Sequence, residues 1–348
     1  MITFYNHSHT LHQGKMEMFR GQMVPCFEVA ARVDHVLSEL EGRKLGMIAA
    51  SEPVDPALLS RIHDPAYLHF LEHAWDDWVA MDPANKDRDA LPSVWPNHGL
   101  RNDVLPENFA ARMGRYAFDT GSPLTSGTWV AALEGASCAV SAAHAVADGA
   151  RSAFALSRPP GHHAGSDFFG GYCFLNNAAL AAQALREGGL ERVAILDVDY
   201  HHGNGTQQIF YTRADVFFAS IHGDPRTEYP FFLGHADETG SGAGADCNLN
   251  LPLPRGTGFK DWRSALKQAL RRVHEFQPQA LVVSLGLDTF EGDPISGFKL
   301  QSRDYCAVGD DLAAADLPTV FIFEGGYAVA QLGVNAVNVL EGFSQRAG

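Results

Sequence analysis

Val193-Ala194-Ile195-Leu196-Asp197-Val198-Asp199-Tyr200-His201-His202-Gly203-Asn204-Gly205 opens on an apolar run and closes on carboxylates, imidazoles and glycines. The apolar part lacks the polar alternation of a strand with one wet face. It therefore reads as a strand buried on both sides, the habit of parallel sheets covered by helices. Ala153 to Ser157, Val216 to Ile221, Ala280 to Leu285 and Thr319 to Glu324 read the same way. Amphipathic or alanine-rich stretches of helical length lie between them, at Asn177 to Glu187, Gly258 to Phe276 and Ser302 to Ala315, and suit crossover helices. This alternation predicts an open α/β sheet.

In such sheets ligands sit beyond the carboxyl ends of the strands, and four of the five runs end in reactive groups. The first leads into Arg158-Pro159-Pro160-Gly161-His162-His163-Ala164-Gly165, the second into Asp197 to Gly205, the fourth into Gly286-Leu287-Asp288, and the fifth into Glu324-Gly325-Gly326-Tyr327. Asp199 and His201 stand two apart at a strand end, where alternate side chains share a face, and Asp288 at another strand end supplies a third ligand. Two carboxylates and one imidazole neutralise a divalent cation and leave a position open, as catalytic rather than structural zinc sites do. A lone D-x-H reads equally well as a helix cap, but three other polar strand ends argue against that here. His162 and His163 sit in a turn between prolines and glycines that holds both rings, and one of them suits the role of general base. Gly325 and Gly326 permit a sharp bend that makes Tyr327 a candidate oxyanion donor.

These residues, together with Phe169 to Asn177, resemble the histone deacetylase and acetylpolyamine amidohydrolase superfamily, and within it the bacterial acetylpolyamine amidohydrolases. The resemblance implies a single α/β catalytic domain over residues 1–348, with the three-layer arginase-deacetylase fold around an eight-stranded parallel sheet. It implies zinc on Asp199, His201 and Asp288. It makes His163 the general base and acid, His162 its electrostatic partner oriented by Asp197, and Tyr327 the group that polarises the acetyl carbonyl. The Gly171 carbonyl would accept the substrate N–H, Tyr172 and Tyr229 would line the channel, and Ile295 its rim. A structural potassium ion is expected on Asp197, Asp199, His201, Ser220 and Ile221. Asn204 stands where class I histone deacetylases carry an aspartate; a neutral amide there lowers the basicity of His163.

Composition bounds the rest. With 46% hydrophobic and 19% charged residues the chain can bury a large core. A formal net charge of -15 repels nucleic-acid phosphates and suits a cationic partner, although many enzymes are acidic for solubility alone. The five cysteines are scattered and never form C-x-x-C, which suggests a reducing compartment. No secretory leader and no run of ~18 uninterrupted apolar residues is visible, so a cytoplasmic protein without membrane or nucleic-acid partners is expected.

Ala80 to Ser126 breaks the α/β rhythm as a long insertion with one short helix near Glu107 to Tyr116. Its aromatic residues Trp95, Phe109, Tyr116 and Phe118 predict an ordered loop that packs on something, a second subunit being one choice, and hence a homodimer. Asp103, Glu107 and Asp119 in this insertion are the candidates to meet a substrate ammonium. The expected reaction is hydrolysis of small N-acetylated amines such as acetylpolyamines, releasing acetate. Rivals are an acetyl-lysine protein deacetylase, a non-catalytic acetyl-amine sensor, and a two-manganese ureohydrolase. The last is disfavoured because Gly203 and Phe290 occupy positions where that chemistry wants carboxylates.

Overall fold

The computed structural model describes residues 1–347. Ten strands occur among them: β1 (Ile2–Tyr5), β2 (Met16–Phe19), β3 (Gln22–Pro25), β4 (Met47–Ala49), β5 (Ser152–Leu156), β6 (Val193–Asp197), β7 (Val216–Gly223), β8 (Asn248–Leu253), β9 (Ala280–Leu285) and β10 (Thr319–Phe323). Eight of them form one sheet in the order β4-β1-β5-β10-β9-β6-β7-β8. Every neighbouring pair in it is parallel. β2 and β3 form a separate antiparallel hairpin.

Successive residues of the central strands enter opposite cores. Ala153, Ala155, Val193 and Ile195 join the core on one face, and Phe154, Leu156, Ala194 and Leu196 the core on the other. Both faces are dry, which is why these strands show no polar alternation. Thr128–Ala147 and Asn177–Glu187 cover the first face. Ala31–Arg43, Phe259–Phe276, Asp304–Ala313 and Val329–Ala347 cover the second. The result is the three-layer α/β/α sandwich that the strand pattern and the resemblance predict. Thr128–Ala147 is long and apolar enough to cross a membrane by composition alone, but 67% of that window is buried inside the molecule, where its alanines bring helix and sheet close.

Three sheet strands escape the reading of apolar runs. β1 and β4 are only four and three residues long, and β8 alternates leucines with Asn248 and Asn250, which are buried and both donate to Gln207 Oε1, so its polar residues break the apolar run. The insertion is ordered, as its aromatic residues predict. Its helix runs Phe109–Tyr116 because Asn108 accepts the amide of Ala111 and caps it. Phe109 and Tyr116 pack on Trp78 and Phe70 of the same chain, and Trp95 donates its indole N–H to the Ala117 carbonyl. Much of the aromatic content thus finds its partner within the chain, whereas Val94, Leu100, Val104 and Leu105 remain exposed.

Candidate active site

β5, β10, β9 and β6 are consecutive in the sheet, so the four reactive strand ends open onto one place. After β6 the backbone turns on its own carboxylates: Asp197 Oδ1 accepts the Asp199 amide, and Asp199 Oδ1 accepts the His201 amide. From β9, Asp288 Oδ1 accepts the Tyr200 amide at 2.8 Å. These bonds bring His201 Nδ1 to 2.9 Å from Asp288 Oδ2 and 3.3 Å from Asp199 Oδ1. The ligand atoms of Asp199, His201 and Asp288 lie within 4.8 Å of one another, and all three residues are buried.

The fit to a divalent cation can be judged from the packing. Burial and the neighbouring Asp199 charge push the Asp288 carboxyl up to about 7, a crowding that a cation relieves. Among the described residues, the ion-pair partners of these two carboxylates are imidazoles only. A Cβ at Gly325 would stand 2.5 Å from Asp199 Oδ2 and 2.8 Å from Asp288 Oδ2, so only glycine leaves these oxygens their room. Two carboxylate oxygens and one imidazole nitrogen form a donor set suited to Zn2+ or Fe2+.

The tandem histidines have distinct settings. His162 Nδ1 donates to Asp197 Oδ2 at 2.9 Å. Burial lowers its pKa, but the charges of Asp199 and Asp197 more than offset that and bring it to about 10. His163 Nδ1 lies 2.6 Å from Asn204 Oδ1. A carbonyl oxygen only accepts, so this bond fixes the proton on Nδ1 and leaves the Nε2 lone pair free. Burial, and then His162 and His201, hold His163 well below the usual histidine range. A neutral imidazole with a free Nε2 is what a general base requires.

His163 and His201 face a cavity of about 560 Å³, with Gly171, Tyr172 and Tyr327 on one side and Tyr229, Ile295 and Phe118 among the rest of its wall. Gly171 adopts a φ of +54°, and a Cβ there would meet the His163 ring at 2.2 Å. Tyr229 meets His163 edge-on, with ring centroids 5.1 Å apart. The Arg32 guanidinium lies over the Tyr327 ring, 4.9 Å from its centre. Ser220 faces Asp197 in the β6–β7 register, with Ile221 next to it, away from the cavity lining.

Of the three acids considered for the substrate ammonium, Asp103 and Glu107 are exposed, and Asp103 pairs with Arg101. Asp119 does line the cavity, but its oxygens already accept the Gly171 amide, the Tyr229 hydroxyl, the Gly121 amide and the Ser122 hydroxyl. It braces the wall. Sequence reasoning missed Glu17, a buried cavity residue from the β2–β3 hairpin that accepts the Tyr172 hydroxyl at 2.8 Å. Burial pushes its carboxyl up to about 7. Also missed was Asp293, whose oxygens accept the Tyr327 amide at 2.7 Å and the Ile295 amide at 3.0 Å. Its place five residues after Asp288 was the available signal; Glu17 offered only a carboxylate between two methionines.

The histone deacetylase domain model matches residues 26–343. Acetylpolyamine amidohydrolase 1 of Pseudomonas aeruginosa is 52% identical over the full length of both chains. Acetylpolyamine amidohydrolase 2 of the same organism is 50% identical over 99% of this chain and 98% of its own. The crystal structure of an acetylpolyamine aminohydrolase from Burkholderia pseudomallei superposes with a TM-score of 0.95 at 38% identity, covering both chains completely. By sequence, fold and site together, this chain belongs to the histone deacetylase family.

Proposed function

We propose that the protein hydrolyses the acetamide of small N-acetylated amines, acetylpolyamines foremost, to acetate and the free amine. The observation that carries the reading is the meeting of the Asp199, His201 and Asp288 ligand set with a neutral His163 and Tyr327 at one cavity. A divalent cation on those three ligands, zinc in this reading, would supply the Lewis acid for the acetyl carbonyl and acidify the attacking water. His163 Nε2 takes the water's proton and later returns it to the leaving nitrogen, while Tyr327 donates its hydroxyl to the developing oxyanion. The phenol serves as donor because burial raises its pKa well above the usual tyrosine value. His162, held by Asp197, orients and balances the pair. The Gly171 carbonyl takes the amide N–H, and a potassium ion on Asp197, Asp199, His201, Ser220 and Ile221 would steady the strand ends.

The substrate class draws support from the two Pseudomonas relatives, whose names specify acetylpolyamines, and from the wall. Glu17 and Asp119 give an aromatic cavity an acidic lining, which favours a slender chain ending in an ammonium. We place the exposed Val94, Leu100, Val104 and Leu105 at a homodimer contact that narrows the entrance. Steady-state kinetics on acetylputrescine, acetylcadaverine, acetylspermidine and an acetyl-lysine peptide tests the proposal. The acetylated diamines should have the highest kcat/KM. Equal or better cleavage of the peptide by a protein that sediments as a monomer would turn the reading into an acetyl-lysine protein deacetylase.

A further inference from the structure

His162 belongs to a second group of ligand-type side chains. Its ligand atom, the Cys173 thiol and the Glu324 carboxylate lie within 4.8 Å of one another, and all three residues are buried. They come from the turn after β5, the Phe169 to Asn177 segment and the end of β10. Nδ1 of His162 is engaged by Asp197, and Nε2, 3.8 Å from Asp199 Oδ1, is the nitrogen left for a cation. Glu324 Oε2 accepts the amides of Gly161 at 2.6 Å and His162 at 3.2 Å, whereas Oε1 is buried with no hydrogen-bond partner. A buried carboxylate oxygen without a donor is costly and uncommon. Its companions here are an imidazole and a thiol, which bind cations.

We propose that His162, Cys173 and Glu324 form a second, inhibitory site for a thiophilic divalent cation, Zn2+ in excess or Cd2+. The donor set of one sulfur, one nitrogen and one oxygen is of the kind zinc and its heavier congener accept. Binding breaks the Cys173 S–H bond and the Nε2–H bond of the His162 imidazolium, forms thiolate–cation and imidazole–cation bonds and releases both protons to solvent, with no change of oxidation state. A cation on Nε2 of His162 withdraws that ring from the reaction and sets a positive charge beside His163, which lowers the basicity of His163 further. The first cation equivalent then activates the enzyme and the second stops it. This inhibitory consequence rests on the deacetylase reading; the binding itself does not.

The Asp199, His201 and Asp288 set contains no sulfur, so a thiolate charge-transfer band that depends on Cys173 reports the second site and not the first. Protein carrying one equivalent of Zn2+ is titrated with Cd2+ while ultraviolet absorption, proton release and acetylputrescine hydrolysis are followed. The wild type should develop the band over the next equivalent and lose turnover in step. Cys173→Ser should keep the first equivalent and its basal turnover, show no band, and need on the order of 10- to 100-fold more Cd2+ for half-inhibition. Cys173→Ala serves as the second variant, with thermal melting as the check on folding, and Cys306→Ser removes an exposed thiol without changing band or inhibition. Persistence of the band and inhibition in both Cys173 variants, or no band in the wild type, overturns the site. A Cys173-dependent band in a protein that hydrolyses no acetylated amine supports the cation site and counts against the proposed function.

Discussion

The floor of the cavity and its wall are built on different principles. Floor residues follow within a few positions of strand ends that are neighbours in one sheet, and each carboxylate there holds backbone amides: Asp197 that of Asp199, Asp288 that of Tyr200, Asp199 that of Gly325. Wall residues come from a hairpin and long connections and are tied by side-chain bonds across great sequence separations, such as Glu17 to Tyr172 and Asp119 to Tyr229. A sheet fixes its strand ends through many backbone bonds at once, whereas a loop tie is one bond. In the proposed function, reaction chemistry belongs to the first construction and selectivity to the second, so the two should fail separately.

The largest expected effect tests the floor. Tyr327→Phe should lower kcat on the order of 10²- to 10³-fold with little change in KM or bound metal, because the hydroxyl acts on charge that develops during the reaction. Near-normal turnover removes Tyr327 from the floor's chemistry. Next comes the junction of floor and wall at Asp293, which holds the Tyr327 and Ile295 amides together. Asp293→Ala should reduce kcat about tenfold, roughly 1.4 kcal/mol. It should cost almost nothing further in the Tyr327→Phe background, since a residue acting through Tyr327 is non-additive with it. Additive losses would mean that Asp293 only supports the fold.

For the wall, Glu17→Gln should raise KM for acetylputrescine by about fivefold, with kcat nearly unchanged and no effect on an acetylated amine lacking the second ammonium. Its pH dependence has a definite sign. Burial lifts the Glu17 carboxyl from 4.5 to about 7, so the ionised form that attracts a cation fills as pH rises through about 7, and KM for the diamine should fall across that range. The same raised value means that the stability Glu17 contributes is present below about pH 4.5 and lost as pH climbs through about 7. A flat KM profile would detach Glu17 from substrate recognition. The smallest effect concerns the helix behind the wall. Asn108→Ala removes its cap and should cost about 1 kcal/mol in thermal or urea unfolding while leaving turnover at the floor unchanged.

The same division explains what could be read from sequence. The dry central strands announced themselves as apolar runs, and their polar ends followed directly, so the sequence already pointed to Asp199, His201, Asp288, His163 and Tyr327, which the fold brings together at the strand ends. Short edge strands such as β4 bury too little to leave a pattern. Glu17 was illegible because a carboxylate in a two-stranded hairpin reads as solvent-facing until the partner, Tyr172, arrives from 155 residues away. The choice among Asp103, Glu107 and Asp119 needed the fold for the same reason. Packing turned Asp119 inward to four donors and left the other two in solvent.

β10, the last of the ten strands in chain order, lies between β5 and β9 in the middle of the sheet. During synthesis, therefore, the two halves of the sheet wait for a common neighbour that leaves the ribosome after both of them. Tyr327, Glu324 and Gly325, which completes the setting of Asp199, arrive with it. A premature stop before Thr319 leaves a sheet divided at its centre. The sheet becomes whole when its last strand in chain order closes the gap.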